Sequence, residues 1–69
     1  MRSYEIKILF RKEVEGLTAK EKAAAPPHVF RVGDSDSRRA TNQVINLLKN
    51  TEQISSGREI IVLEARVVG

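Results

Sequence analysis

The chemistry-bearing side chains of this sequence concentrate between Asp34 and Gln43. There DSDSRRATNQ packs two acids, three hydroxyls, two adjacent arginines and two amides into ten residues. Asp34 and Asp36 form a D-x-D pair, a spacing that holds Mg²⁺ or Ca²⁺ when further oxygen ligands complete the shell. The nearest other acids, Glu21 and Glu52, are distant in sequence, and no EF-hand pattern surrounds the pair. Asp and Ser are also the residues that accept hydrogen bonds from the first free N–H groups of a helix, where acids complement the positive end of its dipole. The expectation is a helix start, with no metal and no cofactor. Arg38 and Arg39 would occupy the first turn, where an anion could be clamped, but the upstream acids compete for the same guanidinium groups.

The rest of that helix carries a second signal. Opposite its apolar positions come Arg39, Asn42, Gln43, Asn46 and Asn50. An ordinary solvent face uses Glu and Lys, which are better helix formers than amides. Amides suit paired hydrogen bonding, to adenine edges in a major groove or to the backbone of a partner protein. The candidate residues for binding a partner or a nucleic acid are therefore Arg38, Arg39, Asn42, Asn46 and Asn50.

Elsewhere the chemistry thins out. His28 is the single histidine and the chain has no cysteine, so no thiolate or multi-histidine metal site can be assembled. Glu13 and Glu15 form the other close acid pair, without a recognisable pocket to raise a carboxyl pKa. Gly16, Gly33, Gly57 and Gly69 are too scattered to cradle a phosphate. With no catalytic constellation in view, a non-enzymatic protein is expected. The net charge of +3 permits contact with phosphates, but the basic residues are dispersed and pair closely only at Arg11/Lys12, Lys20/Lys22 and Arg38/Arg39. Tyr4, Phe10 and Phe30 fall at inward strand positions, which disfavours a base-stacking platform.

The elements that must carry these residues follow from periodicity. Ser3 to Phe10 alternates, with Tyr4, Ile6, Ile8 and Phe10 on one side and Ser3, Glu5, Lys7 and Leu9 on the other, the period of a half-buried strand. Arg11 to Pro27 is the least determined part: Thr18 and Glu21 spell a capping box for a short helix over Ala19 to Ala24, and an extended loop fits equally well. His28 to Val32 reads as a second strand that Gly33 breaks. From about Ser37 to Asn50 a helix places Ala40, Val44, Leu47 and Leu48 on one stripe, with Thr41 and Ile45 at its edge. The run ISSG supplies an exit. Arg58 to Val68 then reads as a last strand, with Ile61, Leu63, Ala65 and Val67 facing one way and Ile60, Val62, Glu64, Arg66 and Val68 the other.

The order strand, loop or short helix, strand, helix, strand predicts a single α+β domain over residues 1–69: a three-stranded β-sheet with one main α-helix packed on one face. If the second and third strands run parallel, their crossover should be right-handed. The second sheet face would carry Leu9, Val29, Ile60 and Val62, enough apolar surface to want a cover. That cover is either the Ala19 to Ala24 segment or a second copy of the chain. A domain of 69 residues without cysteine has a small core and no covalent staple, which favours self-association.

No secretory signal and no spanning helix is visible, so no membrane contact and a cytoplasmic setting are expected. With Met1 first and a strand-like run ending at Gly69, the chain is expected to be a complete small gene product. The function these features suggest is a small regulatory or protein-interaction module acting as a homodimer with an unknown protein partner. The alternative is a nucleic-acid-binding regulator using the basic, amide-rich helix surface.

Overall fold

The computed structural model describes residues 1–51 and 57–69. The chain is a small α+β fold, a three-stranded antiparallel sheet with one main helix. Strand β1 (Arg2–Phe10) is the longest element of the sheet and occupies its centre. It pairs antiparallel with β2 (His28–Asp34) on one side and with β3 (Ile60–Val67) on the other. The spatial order β2-β1-β3 means that β2 and β3 run in the same direction but never touch. Its sequence explains the central place of β1: Ile6 and Ile8 have no exposed surface, and Tyr4 and Leu9 are nearly as buried.

Helix α3 (Ser37–Thr51) lies across one face of this sheet. Ala40, Val44 and Leu48 from α3, Tyr4, Ile6 and Ile8 from β1, and Ile60 from β3 form the core, with Phe10, Phe30, Val32 and Ile45 packed at its margin. Leu47, expected in the same stripe, is 49% exposed, whereas Leu48 is 4% exposed. The buried arc is centred between Val44 and Leu48, with Thr41 and Ile45 half-buried on one flank. At 100° per residue, Leu47 falls on the opposite flank, beyond the arc. The expected turn at ISSG falls largely outside the described residues; Gly57–Glu59, which are described, form a 3₁₀ turn leading into β3.

The faces of β3 depart from simple alternation. Tyr4 stands opposite Val67, Ile6 opposite Ala65 and Lys7 opposite Glu64, but Ile8 stands opposite Val62. Leu63 is therefore an extra residue, a β-bulge between Lys7 and Ile8 of the partner strand. Beyond the bulge, Ala65 and Val67 face the helix as expected. Before it the phase is reversed, because one inserted residue turns every earlier side chain over. Ile60 consequently points into the core and Val62 sits on the same side as Ile8, correcting their assignment to the second face.

Two short helices fill the segment between β1 and β2. Helix α1 (Arg11–Val14) starts directly from the end of β1, with the Glu13 carboxylate accepting the Phe10 N–H at 3.0 Å. Gly16 then turns the chain at φ +80°, a conformation that costs glycine little. Helix α2 (Ala19–Ala24) begins with the expected reciprocal box: Glu21 N–H donates to Thr18 Oγ1 at 3.2 Å, and Thr18 N–H donates to Glu21 Oε1 at 3.1 Å. It ends before Pro26, as the restriction on pre-proline residues requires. Leu9 and Val14 are both buried, and Leu9, Leu17 and Pro26 share a shallow hollow of about 410 Å³ with Glu13 and Glu21. The chain's own α1 and α2 segment thus covers the apolar end of the second face.

Candidate interaction surfaces

The helix start resolves into a network of hydrogen bonds. Asp36 caps α3: its Oδ1 accepts the Arg39 N–H at 2.8 Å, and its carbonyl accepts the Ala40 N–H at 3.1 Å. Asp34 Oδ1 accepts from the Ser35 N–H at 2.7 Å and from the Ser35 hydroxyl at 3.3 Å, while Oδ2 accepts from Gln43 Nε2 at 3.2 Å. Arg39 Nε lies 3.8 Å from Asp34 Oδ1. The Ser35 backbone bond is the main influence holding the Asp34 carboxyl below the usual carboxylate range, working against partial desolvation, with smaller help from the Ser35 hydroxyl, Arg39 and Gln43. Both aspartates are occupied by the protein itself.

Arg38, Arg39, Asn42, Asn46 and Asn50 are all exposed. Successive steps of 100° from Val44 place them together on the side of α3 turned away from the sheet. Gln43, which the sequence assigned to the same polar surface, instead reaches back to β2, donating to Asp34 and, at 3.5 Å, to the Gly33 carbonyl. It is a tether between helix and sheet.

The four residues expected at an oligomer interface do not share an open face. Leu9 is buried under the α1 and α2 segment, and Ile60 is buried in the core, so neither can meet another chain. Val29 and Val62 are exposed but lie on opposite faces, since Val29 stands opposite Lys7 and Val62 opposite Ile8.

What occupies the second face instead is a set of charges. Glu5, only 8% exposed, receives Arg31 Nη2 from β2 at 3.4 Å and Arg66 Nη2 from β3 at 3.0 Å. Lys7 reaches Glu64 at 3.5 Å and Glu5 at 3.9 Å. The carboxylate of Glu5 is thus sandwiched between guanidinium groups of both flanking strands, which compensates its desolvation. Nearer the α1 end, His28 Nε2 sits 2.9 Å and 3.1 Å from the two carboxylate oxygens of Glu13, and its ring centroid lies 5.1 Å from that of Phe10. The Phe10 backbone bond is the largest cause lowering the Glu13 pKa; partial desolvation opposes it, and His28 and Lys12 assist. This places the lone histidine as a clasp between α1 and β2.

Sequence reasoning missed the third surface. Val62, Leu63, Val67 and Val68 are all exposed, so β3 and the residue after it present large apolar side chains along one edge of the sheet. The signal was present in the composition of the last strand, but a strand read as half-buried hid it. Among the described residues no helix is long and apolar enough to cross a membrane. No protein-family model, curated protein or solved structure matches the chain.

Proposed function

We propose that the chain is a small, non-enzymatic, self-associating protein-interaction module of the cytoplasm, and that it works through the β3 side of its sheet. The observation that carries this reading is the exposure of Val62, Leu63 and Val67 on an edge strand and of Val68 just after it. An edge strand offers a row of unpaired backbone N–H and C=O groups, and natural proteins usually guard such edges with charge, proline or a cover. Apolar side chains flanking a long open edge suit the addition of another strand, in which backbone hydrogen bonds supply affinity and side chains supply specificity. The lack of cysteine suits a reducing compartment.

Site-specific photocrosslinking tests this. A benzoylphenylalanine at position 63 or 67, expressed in the native host, should give protein adducts joined through an extended segment. The same group at the exposed Lys20 should not. Adducts to nucleic acid alone, or equal yields at all three positions, would refute the reading.

The exposed Arg38, Arg39, Asn42, Asn46 and Asn50 on one side of α3 support a second reading, a nucleic-acid-binding regulator. It requires retardation of mixed DNA or RNA at low salt and a steep loss of binding as salt rises, because each neutralised phosphate releases counterions.

A further inference from the structure

Among the described residues nothing pairs with the outer edge of β3, and its pattern restricts what could lie against it. Val68 N–H donates to the Ser3 carbonyl at 2.9 Å. In an antiparallel ladder the bonding direction alternates, so Glu64 and Arg66, in step with Val68, turn their backbone groups toward β1, while Ala65 and Val67 turn theirs outward; the alternation stops at the bulge residue Leu63. A strand added antiparallel must present its own outward groups to these two positions. For a copy of β3 related by a two-fold axis, only a few registers satisfy that condition. Centring on Glu64 sets two glutamates against each other, and centring on Arg66 sets two arginines. Centring on Leu63 faces both charges with apolar residues. Centring on Ala65 sets Glu64 against the partner's Arg66 and Arg66 against the partner's Glu64, and brings the bulge residue Leu63 beside the partner's Val67.

The exposures match this register. Leu63 and Val67 are 49% and 48% exposed, apolar surface beside the edge that a second strand would shield. The charges on the second face match it too. The row Arg31, Glu5, Arg66 ends positive at the open edge, whereas the row Lys7, Glu64 ends negative there. An axis through Ala65 joins the positive end to the negative end, so the signs alternate from Arg31 through Glu5 and Arg66 to the partner's Glu64 and the partner's Lys7. Opposite charges on directly facing residues stabilise a strand pair, and like charges destabilise it. The other edge lacks such a match: Asp34, the acid of β2, is out of phase with Arg31, so no permitted two-fold register pairs them.

From the β3 reading above and this register, we infer that the occupant of the edge is a second copy of the chain. The two β3 strands pair antiparallel about Ala65 and merge two sheets into one of six strands.

Sedimentation velocity of the purified full chain, across a wide concentration range, tests the inference. The wild-type protein should show a concentration-dependent dimer. Leu63→Glu should weaken it by about tenfold or more. The double variant Leu63→Glu with Val67→Arg should restore it, because position 63 lies beside position 67 of the partner. Circular dichroism checks that each variant is folded. Independently, Ala65→Cys places the chain's single thiol opposite its own copy, within the ~5.5 Å Cα separation of a hydrogen-bonded pair that permits a disulfide. It should oxidise to a covalent dimer that keeps the native spectrum. A wild-type monomer at all concentrations, a dimer indifferent to Leu63→Glu, failure of rescue in a folded double variant, or no crosslink at position 65 overturns the inference. A monomeric purified chain whose position 63 still crosslinks to another protein in the host would overturn the dimer and leave the strand-addition reading standing.

Discussion

Leu47 and Leu48 are adjacent and chemically identical, yet α3 exposes one and buries the other. Truncating each to alanine therefore measures the packing of α3 on the sheet with composition held constant. Removing the three outer carbons of Leu48 forfeits about 2.4 kcal/mol of transfer energy at ~0.8 kcal/mol per carbon. The unfilled space beneath Val44 and Ile8 adds to this, for a total of about 3–4 kcal/mol. A domain of 69 residues has about 3–10 kcal/mol of stability, so this one change consumes much of it. The melting temperature should fall by about 12–32 °C, using ~4–8 °C per kcal/mol for a chain of this size. Leu47→Ala gives up about half the transfer energy and leaves no enclosed void, and alanine's helix propensity offsets part of the loss. Its cost should stay below about 1 kcal/mol. Urea titration followed by far-ultraviolet circular dichroism, with the m-value checked for constancy, separates the two. Equal costs, or a larger cost at Leu47, would refute the described orientation of α3.

Three other outcomes follow from the hydrogen-bond geometry. The Glu13, Glu21 and Asp34 carboxyls are each held below their ordinary pKa by backbone N–H donors first. Their contribution is present above the unfolded carboxylate pKa and lost as pH falls through the folded values, so denaturant midpoints should decline below about pH 4.5. Asp36→Ala removes the cap of α3 and should cost about 1 kcal/mol, whereas Asp36→Asn should be nearly neutral in the same titration. Glu5→Gln keeps the shape but strips the countercharge from Arg31, Arg66 and Lys7; a loss of about 1–3 kcal/mol is expected, shrinking as salt screens the remaining cations. A loss insensitive to salt would argue against the charge network.

The elements that announce themselves by local rules were legible in the sequence. The period-two run through Ile6 and Ile8, the capping box of Thr18 and Glu21, and the spacing of Ala40, Val44 and Leu48 each carry a local signature that the fold respects. Helix α1 was not legible, because four residues hold too few turns for any periodicity. The phase of Ile60 and Val62 was misread because a bulge leaves no mark in a run of consecutive apolar residues. The burial of Glu5 was hidden for a different reason: its cover comes from Arg31 and Arg66, respectively 26 and 61 residues away in sequence. The candidate amides of α3 do share one exposed side, while the exposed large apolar side chains of the last strand lie at its edge and not together on the second face.

The extra residue at Leu63 also marks where this fold can change length. Anywhere else in the sheet, deleting one residue would invert the inside and outside of everything beyond it and expose the core. At Leu63 the ladder already skips a position, so losing that residue would leave Ile60 and Val62 opposite Phe10 and Ile8, and Glu64 opposite Lys7. The bulge is thus a site of evolutionary slack in an otherwise register-locked molecule, where a lineage could gain or shed an outward side chain without rebuilding the interior.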